Sequence, residues 1–512
     1  MKASPLSEHL TQKVNSWKDK MISKRFTVAT LAGLAAAHLY AASAGELAGS
    51  KPNIILVMTD DQGYGQLGCQ GHPWLETPNI DKLCEQSTVF TDFHVSPTCS
   101  PTRAALLTGN VPFKNGVTHT VEPRNRMALS AVTIPQYLKK VGYTSGIFGK
   151  WHLGLEEQYQ PGARGFDEVF IHGYGAIGQG KDVPKNKYDD PVLRHNGVFV
   201  KTKGFCTDIF FSQALAWIRE NKDRPFFAYI SSNAPHSPFV APDHKMQKFS
   251  HDGFKEQQQG FYGMIENIDE NMGRLMSRLN EWGLEENTLV VFLSDNGFVS
   301  SGLGEGTLGS RDGEPLFAFT AGLKGAKGTL HEGGTRVPAF FRWKGVLQEG
   351  AEVNALSAHI DMLPTLVELA GGELPMHIDG KSLVSLLKDP SAQRSDRKLF
   401  FHCGRWKDNI GPDKSKYAKS KGAGFAVRNS HYRLVNNEEL YDIVSDPGEA
   451  NNIYAQKPEV VKEMQDAYDQ WWDEVRPFMI NEGKKTGPNP YHVQYKEQLK
   501  QQGIPSWAKP EW

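Results

Sequence analysis

The chain has 512 residues, with 57 basic side chains against 58 acidic ones and a net charge of -1 at pH 7. That length exceeds one simple core and asks for a large domain with a smaller companion, while the near-cancellation of charge excludes recruitment of nucleic acid or a membrane surface by bulk electrostatics. Five cysteines, Cys69, Cys84, Cys99, Cys206 and Cys403, form no CxxC pair and no zinc spacing, which excludes a disulfide scaffold and a structural zinc but leaves room for one or two disulfides of unreadable pairing.

Residues 1–44 read as a targeting segment. Lys24 and Arg25 precede the Ala- and Leu-rich run from Phe26 to Ala42, and Ala42-Ser43-Ala44 has the small-x-small form of a signal peptidase site. Cleavage is expected after Ala44, with the mature chain periplasmic or secreted. His38 and Tyr40 interrupt the run, which is short for a span, so no stable membrane insertion is expected. Met21, just ahead of the basic pair, is an alternative start.

From Lys51 onward apolar runs alternate with helical patterns, the mark of an α/β domain. The run from Asn53 to Met58 is a buried strand that ends at Thr59-Asp60-Asp61, so two carboxylates leave it together. A helix is predicted from Thr133 to Val141, with Thr133 as its cap and Gly142 as its stop. Residues 143–148 then run extended into Gly149-Lys150-Trp151-His152. A helix over 208–221 leads to the strand from Phe226 to Ile230, which empties into Ala234-Pro235-His236-Ser237-Pro238. A long helix over 259–282 precedes the strand from Leu289 to Leu293 and then Ser294-Asp295-Asn296-Gly297.

Several apolar strands thus end in a carboxylate, histidine or lysine. Open α/β sheets bind ligands at the carboxyl ends of their strands, so these residues are expected in one crevice. A single Asp or Asn after a strand is more often a turn former; the repetition shifts the reading. Beyond residue 395 the pattern changes to short strands at 398–402, 425–428 and 432–436 and a helix over 458–472. The expected domains are residues 45–395, the α/β domain; residues 396–482, a smaller unit of antiparallel sheet plus helix; and a surface tail, 483–512. Gly173-Tyr-Gly175-Ala-Ile-Gly178 satisfies GxGxxG, but no helical period follows it, so a nucleotide loop is not expected.

The most informative segment is Cys99-Ser100-Pro101-Thr102-Arg103-Ala-Ala-Leu-Leu-Thr108-Gly109. Pro101 fits a first helical turn, which sets Cys99 at a helix N-terminus, where free amide protons suit an anion, and Arg103 shares its face one turn on. For an arbitrary cysteine, a structural role would be the better reading. This segment, however, resembles the signature of the sulfatase family, and the likeness extends from about Pro52 to Trp472 with the motifs in order.

The resemblance implies an alkaline phosphatase-like α/β fold, a large mixed sheet sandwiched by helices, with a smaller C-terminal α+β domain, and sulfuric ester hydrolysis. It implies that a maturation enzyme converts Cys99 to formylglycine. It places a divalent cation on Asp60, Asp61, the modified Cys99, Asp295 and Asn296, and catalytic or sulfate-binding roles on Arg103, Lys150, His152, His236 and Lys327. In the implied mechanism one hydroxyl of the hydrated aldehyde attacks sulfur, His236 protonates the leaving alcohol, and His152 deprotonates the second hydroxyl so that sulfate is expelled. Gln66 departs from the family, in which many relatives have an aspartate there.

The oxygen-only donor set suits a hard cation, calcium first and magnesium second. Two rival readings are a phosphonate or phosphate monoester hydrolase of the same superfamily and a secreted carbohydrate-binding protein without activity. The expected substrate is a sulfated poly- or oligosaccharide. Sugar contacts are expected among His172, Arg194, His195, Arg405 and Trp406, each of which reads equally well as a solvated loop residue.

Overall fold

Asn53–Thr59 (β1) is buried at every position, which only a strand covered on both faces can be. The computed structural model describes residues 47–511 except 251–252, 300–306, 312–313, 375, 395, 407–418, 423 and 483–486, with the backbone alone for 307–311, 314–317 and Lys181. The expected leader, residues 1–44, lies outside the described residues. No described helix is long and apolar enough to cross a membrane.

β1 is in the middle of a ten-stranded sheet. Its other strands are Thr88–Phe90 (β2), Thr144–Lys150 (β3), Glu168–His172 (β4), Val192–His195 (β5), Val198–Lys201 (β6), Phe226–Ser231 (β7), Thr288–Ser294 (β8), Ala339–Arg342 (β9) and Glu352–Val353 (β10). The spatial order is β10-β2-β9-β8-β1-β7-β3-β4-β5-β6. The central strands β8, β1, β7, β3 and β4 are parallel, with Leu56 between Tyr229 and Val291. Antiparallel pairs, β8 with β9 on one side and β4 with β5 and β5 with β6 on the other, extend the sheet.

Among the helices are α1 (Pro78–Glu85), α2 (Cys99–Thr108), α3 (Ile134–Lys139), α4 (Cys206–Glu220), α5 (Glu256–Glu281) and α6 (Met362–Leu369). Ile55, Val57, Phe148, Ile230 and Phe292 of the sheet form one apolar cluster with Phe210, Ala214 and Trp217 of α4 and Phe261, Ile265 and Met272 of α5. Asp269 of α5 accepts the Asn79 and Ile80 amides at 2.9 and 2.8 Å, so the free amides that begin α1 are satisfied by a neighbouring helix.

A separate four-stranded antiparallel sheet, in the order Leu399–His402 (β11), Phe425–Arg428 (β12), Tyr432–Val435 (β13) and Glu439–Asp442 (β14), follows in the chain. The helix α7 (Pro458–Val475) lays Met464, Tyr468, Trp471 and Trp472 on it, and Tyr468 stacks on Phe425 at 3.7 Å. β14 has no counterpart in the expected pattern. The tail carries another helix, α8 (Pro490–Gln501), capped by Asn489, whose side chain accepts the Tyr491 and His492 amides. Tyr491 packs with Phe199 of β6 and Leu155, and the Trp507 amide donates to the Lys201 carbonyl at 2.7 Å.

Candidate active site

The site lies where the parallel strands run out. Thr59 and Ser294 are register partners at the ends of β1 and β8, so Asp60-Asp61 and Asp295-Asn296 emerge side by side. The Asp295 amide donates to the Thr59 carbonyl at 3.1 Å, the Asp61 amide to Asp295 Oδ1 at 3.1 Å, and Asn296 Nδ2 to Asp61 Oδ1 at 2.8 Å. Asp61 takes a left-handed backbone, φ 69°, a conformation a non-glycine residue holds only where its surroundings impose it.

Three cations meet these carboxylates. Arg103 donates to Asp295 Oδ2 from Nη2 at 2.7 Å and from Nε at 3.1 Å, and from Nη1 to the Ser231 hydroxyl at the end of β7. Lys150, the last residue of β3, is 2.6 Å from Asp60 Oδ2, and Lys327 is 2.6 Å from Asp61 Oδ1. Cys99 is the first residue of α2 and is buried, as Arg103 is. Burial pushes the Cys99 thiol up, but Lys150 and Lys327 outweigh it and hold the group below its ordinary value. For Asp61, burial is likewise outweighed, by Lys327 and then His236, and the carboxyl is pulled far down. Burial and then Asp295 push Asp60 well up.

His152, also left-handed at φ 63°, has Nε2 on the Thr120 carbonyl at 2.8 Å and Nδ1 at 3.5 Å from Cys99 Sγ. A carbonyl only accepts, so Nε2 carries the hydrogen and the Nδ1 lone pair faces residue 99. His236 holds Nδ1 on the Ser237 carbonyl at 2.7 Å, with Nε2 at 3.8 Å from Asp61 Oδ2, and burial pulls its pKa down to about 4.

The donor set fits a hard cation. Asp60, Asp61, Asp295 and Asn296 are all buried and offer oxygens, and Asp60 Oδ1 and Asn296 Oδ1 have no hydrogen-bond partner among the described residues. Asp60, Asp61 and His236 also bring ligand atoms within 4.8 Å of one another. Asp92, His94 and Glu332 do the same elsewhere, but Arg428 and Arg433 already fill that cluster, each with a nitrogen within 3.1 Å of Glu332 Oε1.

The sulfatase family model matches residues 52–372. The chain belongs to the sulfatase family. A second model, described as the C-terminal part of N-sulphoglucosamine sulphohydrolase, matches residues 326–474 of this sulfatase. It is 32% identical to arylsulfatase A of Homo sapiens over 81% of this chain and 86% of the relative, and 34% identical to N-acetylgalactosamine-6-sulfatase of Canis lupus familiaris over 72% and 71%. The crystal structure of Ps i-CgsB in complex with k-i-k-neocarrahexaose is similar at TM-score 0.72 and 27% identity, covering 88% of this chain and 98% of that one. The sulfatase is a sulfuric ester hydrolase, and its large mixed sheet with a smaller C-terminal sheet is the fold expected of one.

The structure brings together Asp60, Asp61, Cys99, Arg103, Lys150, His152, His236, Asp295, Asn296 and Lys327. Gln66 donates from Nε2 to the Phe319 carbonyl at 2.6 Å, so the position where many relatives have an aspartate here holds a loop.

Three of the expected sugar contacts are corrected. Trp406 is buried in the C-terminal core, where its indole NH donates to Glu482. Arg194 is drawn to Gln160 and the Tyr491 ring under the tail helix. His195 pairs with Glu168 at 2.7 Å, on the first residue of β4 and so at the amino end of the sheet. His172, the register partner of Lys150 at the end of β4, is buried against Phe210 at the edge of the site, with neither ring nitrogen hydrogen-bonded among the described residues. Arg405 alone is exposed beside the site: the Cβ that Gly328 lacks would lie 3.7 Å from its Nη1, next to Lys327.

Sequence reasoning missed Ser231 and Thr120. Ser231 closes a buried strand and was open to the same inference as Lys150. Thr120 acts through its carbonyl, which leaves no side-chain signal.

Proposed function

We propose that this sulfatase removes a sulfate group from a sulfated oligo- or polysaccharide outside the cytoplasm, with residue 99 in the formylglycine form and calcium held by Asp60, Asp61, Asp295 and Asn296. The observation that carries the reading is the set of buried oxygen donors, two of them partnerless, between three cations and beside Cys99. Support for a carbohydrate comes from the relative named N-acetylgalactosamine-6-sulfatase and from Ps i-CgsB crystallised with a neocarrahexaose. Support for export comes from the leader motif before Ala44.

Formylglycine, when formed, supplies the attacking hydroxyl, and bound calcium supplies charge to offset the sulfate oxygens. The chain's own residues do the remainder. Arg103 fixes Asp295 from two nitrogens, so the carboxylate stays oriented. Lys150 and Lys327 bring positive charge to the sulfate as negative charge moves onto the leaving oxygen. His236, its Nδ1 hydrogen held by the Ser237 carbonyl, gives that oxygen a proton from Nε2 in its imidazolium form, which the Asp61 carboxylate beside it favours. His152 accepts a proton from residue 99 at Nδ1, because the Thr120 carbonyl keeps the hydrogen on Nε2.

Peptide mass spectrometry of active enzyme from its native host tests the nucleophile: an aldehyde or its hydrate at residue 99 is expected, and a plain thiol throughout overturns the formylglycine reading. Matched aryl sulfate and aryl phosphate separate sulfate from phosphate chemistry. A panel of defined sulfated oligosaccharides tests the substrate class, and turnover of aryl sulfates alone would remove it.

A further inference from the structure

Cys69 and Cys84 lie on two elements that are tied together just past the metal-binding turn. Cys69 is in the short turn Gly68–Gln70, and Cys84 is in the last turn of α1. The Cys69 amide donates to Asp81 Oδ1 at 2.8 Å, the Thr77 hydroxyl donates to the same oxygen at 2.8 Å, and the Gly68 amide donates to Thr77 Oγ1 at 2.8 Å. Asp81 and Cys84 are one helical turn apart and share a face of α1. The bond that holds Cys69 on Asp81 therefore also sets it against Cys84, and both cysteines pack on the same apolar cluster. Both are partly exposed, within reach of an exchange partner.

The other cysteines are placed elsewhere. Cys99 is beside His152, Cys206 is fully buried at the start of α4, and the Cys403 thiol donates to the Gly328 carbonyl at 3.2 Å.

We propose that Cys69 and Cys84 are a disulfide site that closes the loop from residue 69 to residue 84. An Sγ–Sγ bond forms as the two S–H bonds break; the two electrons and two protons pass to the disulfide of an oxidant such as oxidised glutathione, which becomes two thiols. The closed loop fastens the segment that leaves Asp60 and Asp61 to α1, which Asp269 already anchors. Its effect falls on the unfolded chain, whose freedom it reduces, so it acts on stability and leaves the chemistry at residue 99 untouched.

The full-length protein, equilibrated under native conditions with oxidised glutathione, alkylated and digested without reduction, tests this. The expected result is one linked peptide pair joining Cys69 to Cys84 and no alkylation at either residue until a reductant is added. Reduction is expected to lower the melting temperature of the parent and leave that of the Cys69→Ser/Cys84→Ser double variant unmoved, with aryl sulfate turnover alike in both. Full alkylation of both cysteines after equilibration overturns the proposal, as does either residue linked to another cysteine or capped by glutathione. Peptide mapping on the parent needs no variant to fold.

Discussion

At His152 one main-chain carbonyl divides the work of a ring. Thr120 takes the Nε2 hydrogen, the left-handed backbone turns the imidazole inward, and the lone pair of Nδ1 is left at residue 99. Replacing His152 by Ala is expected to lower kcat for an aryl sulfate by about 10²–10⁴-fold, the usual worth of a positioned acid or base, with KM close to the parent's. Initial rates measure both, and a kcat within a few-fold of the parent would take His152 out of the reaction. Arg405 belongs to a different step. It is exposed at the mouth, so Arg405→Ala is expected to raise KM for an anionic sulfated oligosaccharide several-fold while aryl sulfate turnover holds; equal losses on both substrates would place it elsewhere.

Among the elements, β3 and β7 meet so closely that one residue between them has to be glycine. Gly149 pairs with Ser231, has φ 120°, and an added Cβ would lie 1.9 Å from the Ser231 carbonyl oxygen. Gly149→Ala is expected to cost about 1–3 kcal/mol, as overpacking does, and to displace Lys150 from Asp60; thermal melts and aryl sulfate rates read the two effects.

The segment carrying Lys327 is held by the small sheet. Lys324 reaches Tyr441 at 2.7 Å, Arg433 donates to the Leu330 carbonyl at 2.6 Å, the Glu332 amide donates to Glu449 at 2.8 Å, and Glu332 is clamped by Arg428 and Arg433. Glu332→Gln leaves two buried guanidiniums short of a counter-charge, a break typically worth about 3–5 kcal/mol. Burial opposes ionisation of Glu332, but Arg433 and then His94 and Arg428 overcome it, and its carboxyl lies well below the ordinary value. A depressed acid contributes its stability in full above the unfolded pKa, about 4.3, and loses it as pH falls toward the folded one. The melting-temperature gap between parent and Glu332→Gln should therefore be widest at neutral pH and narrow below that value; a gap that widens in acid would contradict the clamp.

These elements were unequally legible. β1, β7 and β8 are buried on both faces, so their sequences are unbroken apolar runs, and the polar residue that ends each one stands out. β5 and β6 are at the sheet edge with Val198 and Lys201 exposed, and such a strand reads as loop; that is how Arg194 and His195 came to resemble solvated contacts. In α8 only Tyr491 is buried, so no apolar stripe announces a helix. Glu332 and Arg433 are 101 positions apart, and nothing local in either sequence names the other.

For the molecule as a whole, the proposed ion on the carboxylate cluster would tie folding to its binding. A ligand held only by the native state stabilises it by about 2.7 kcal/mol when present at 100 times its Kd. Dialysis against a chelator is expected to abolish ester hydrolysis and lower the melting temperature, with calcium restoring both better than magnesium; full activity after chelation would dismiss the ion.

Translation reaches Glu332 long before Arg428 and Arg433 exist. A growing chain that ends near residue 395 already owns Cys99, Arg103, both aspartate pairs and the Asp61 partner of Lys327, yet of the three arginines around Glu332 it has only Arg336, 3.7 Å away. The last quarter of the polypeptide brings the two guanidiniums that bury Glu332, and with them the brace on the segment that carries Lys327.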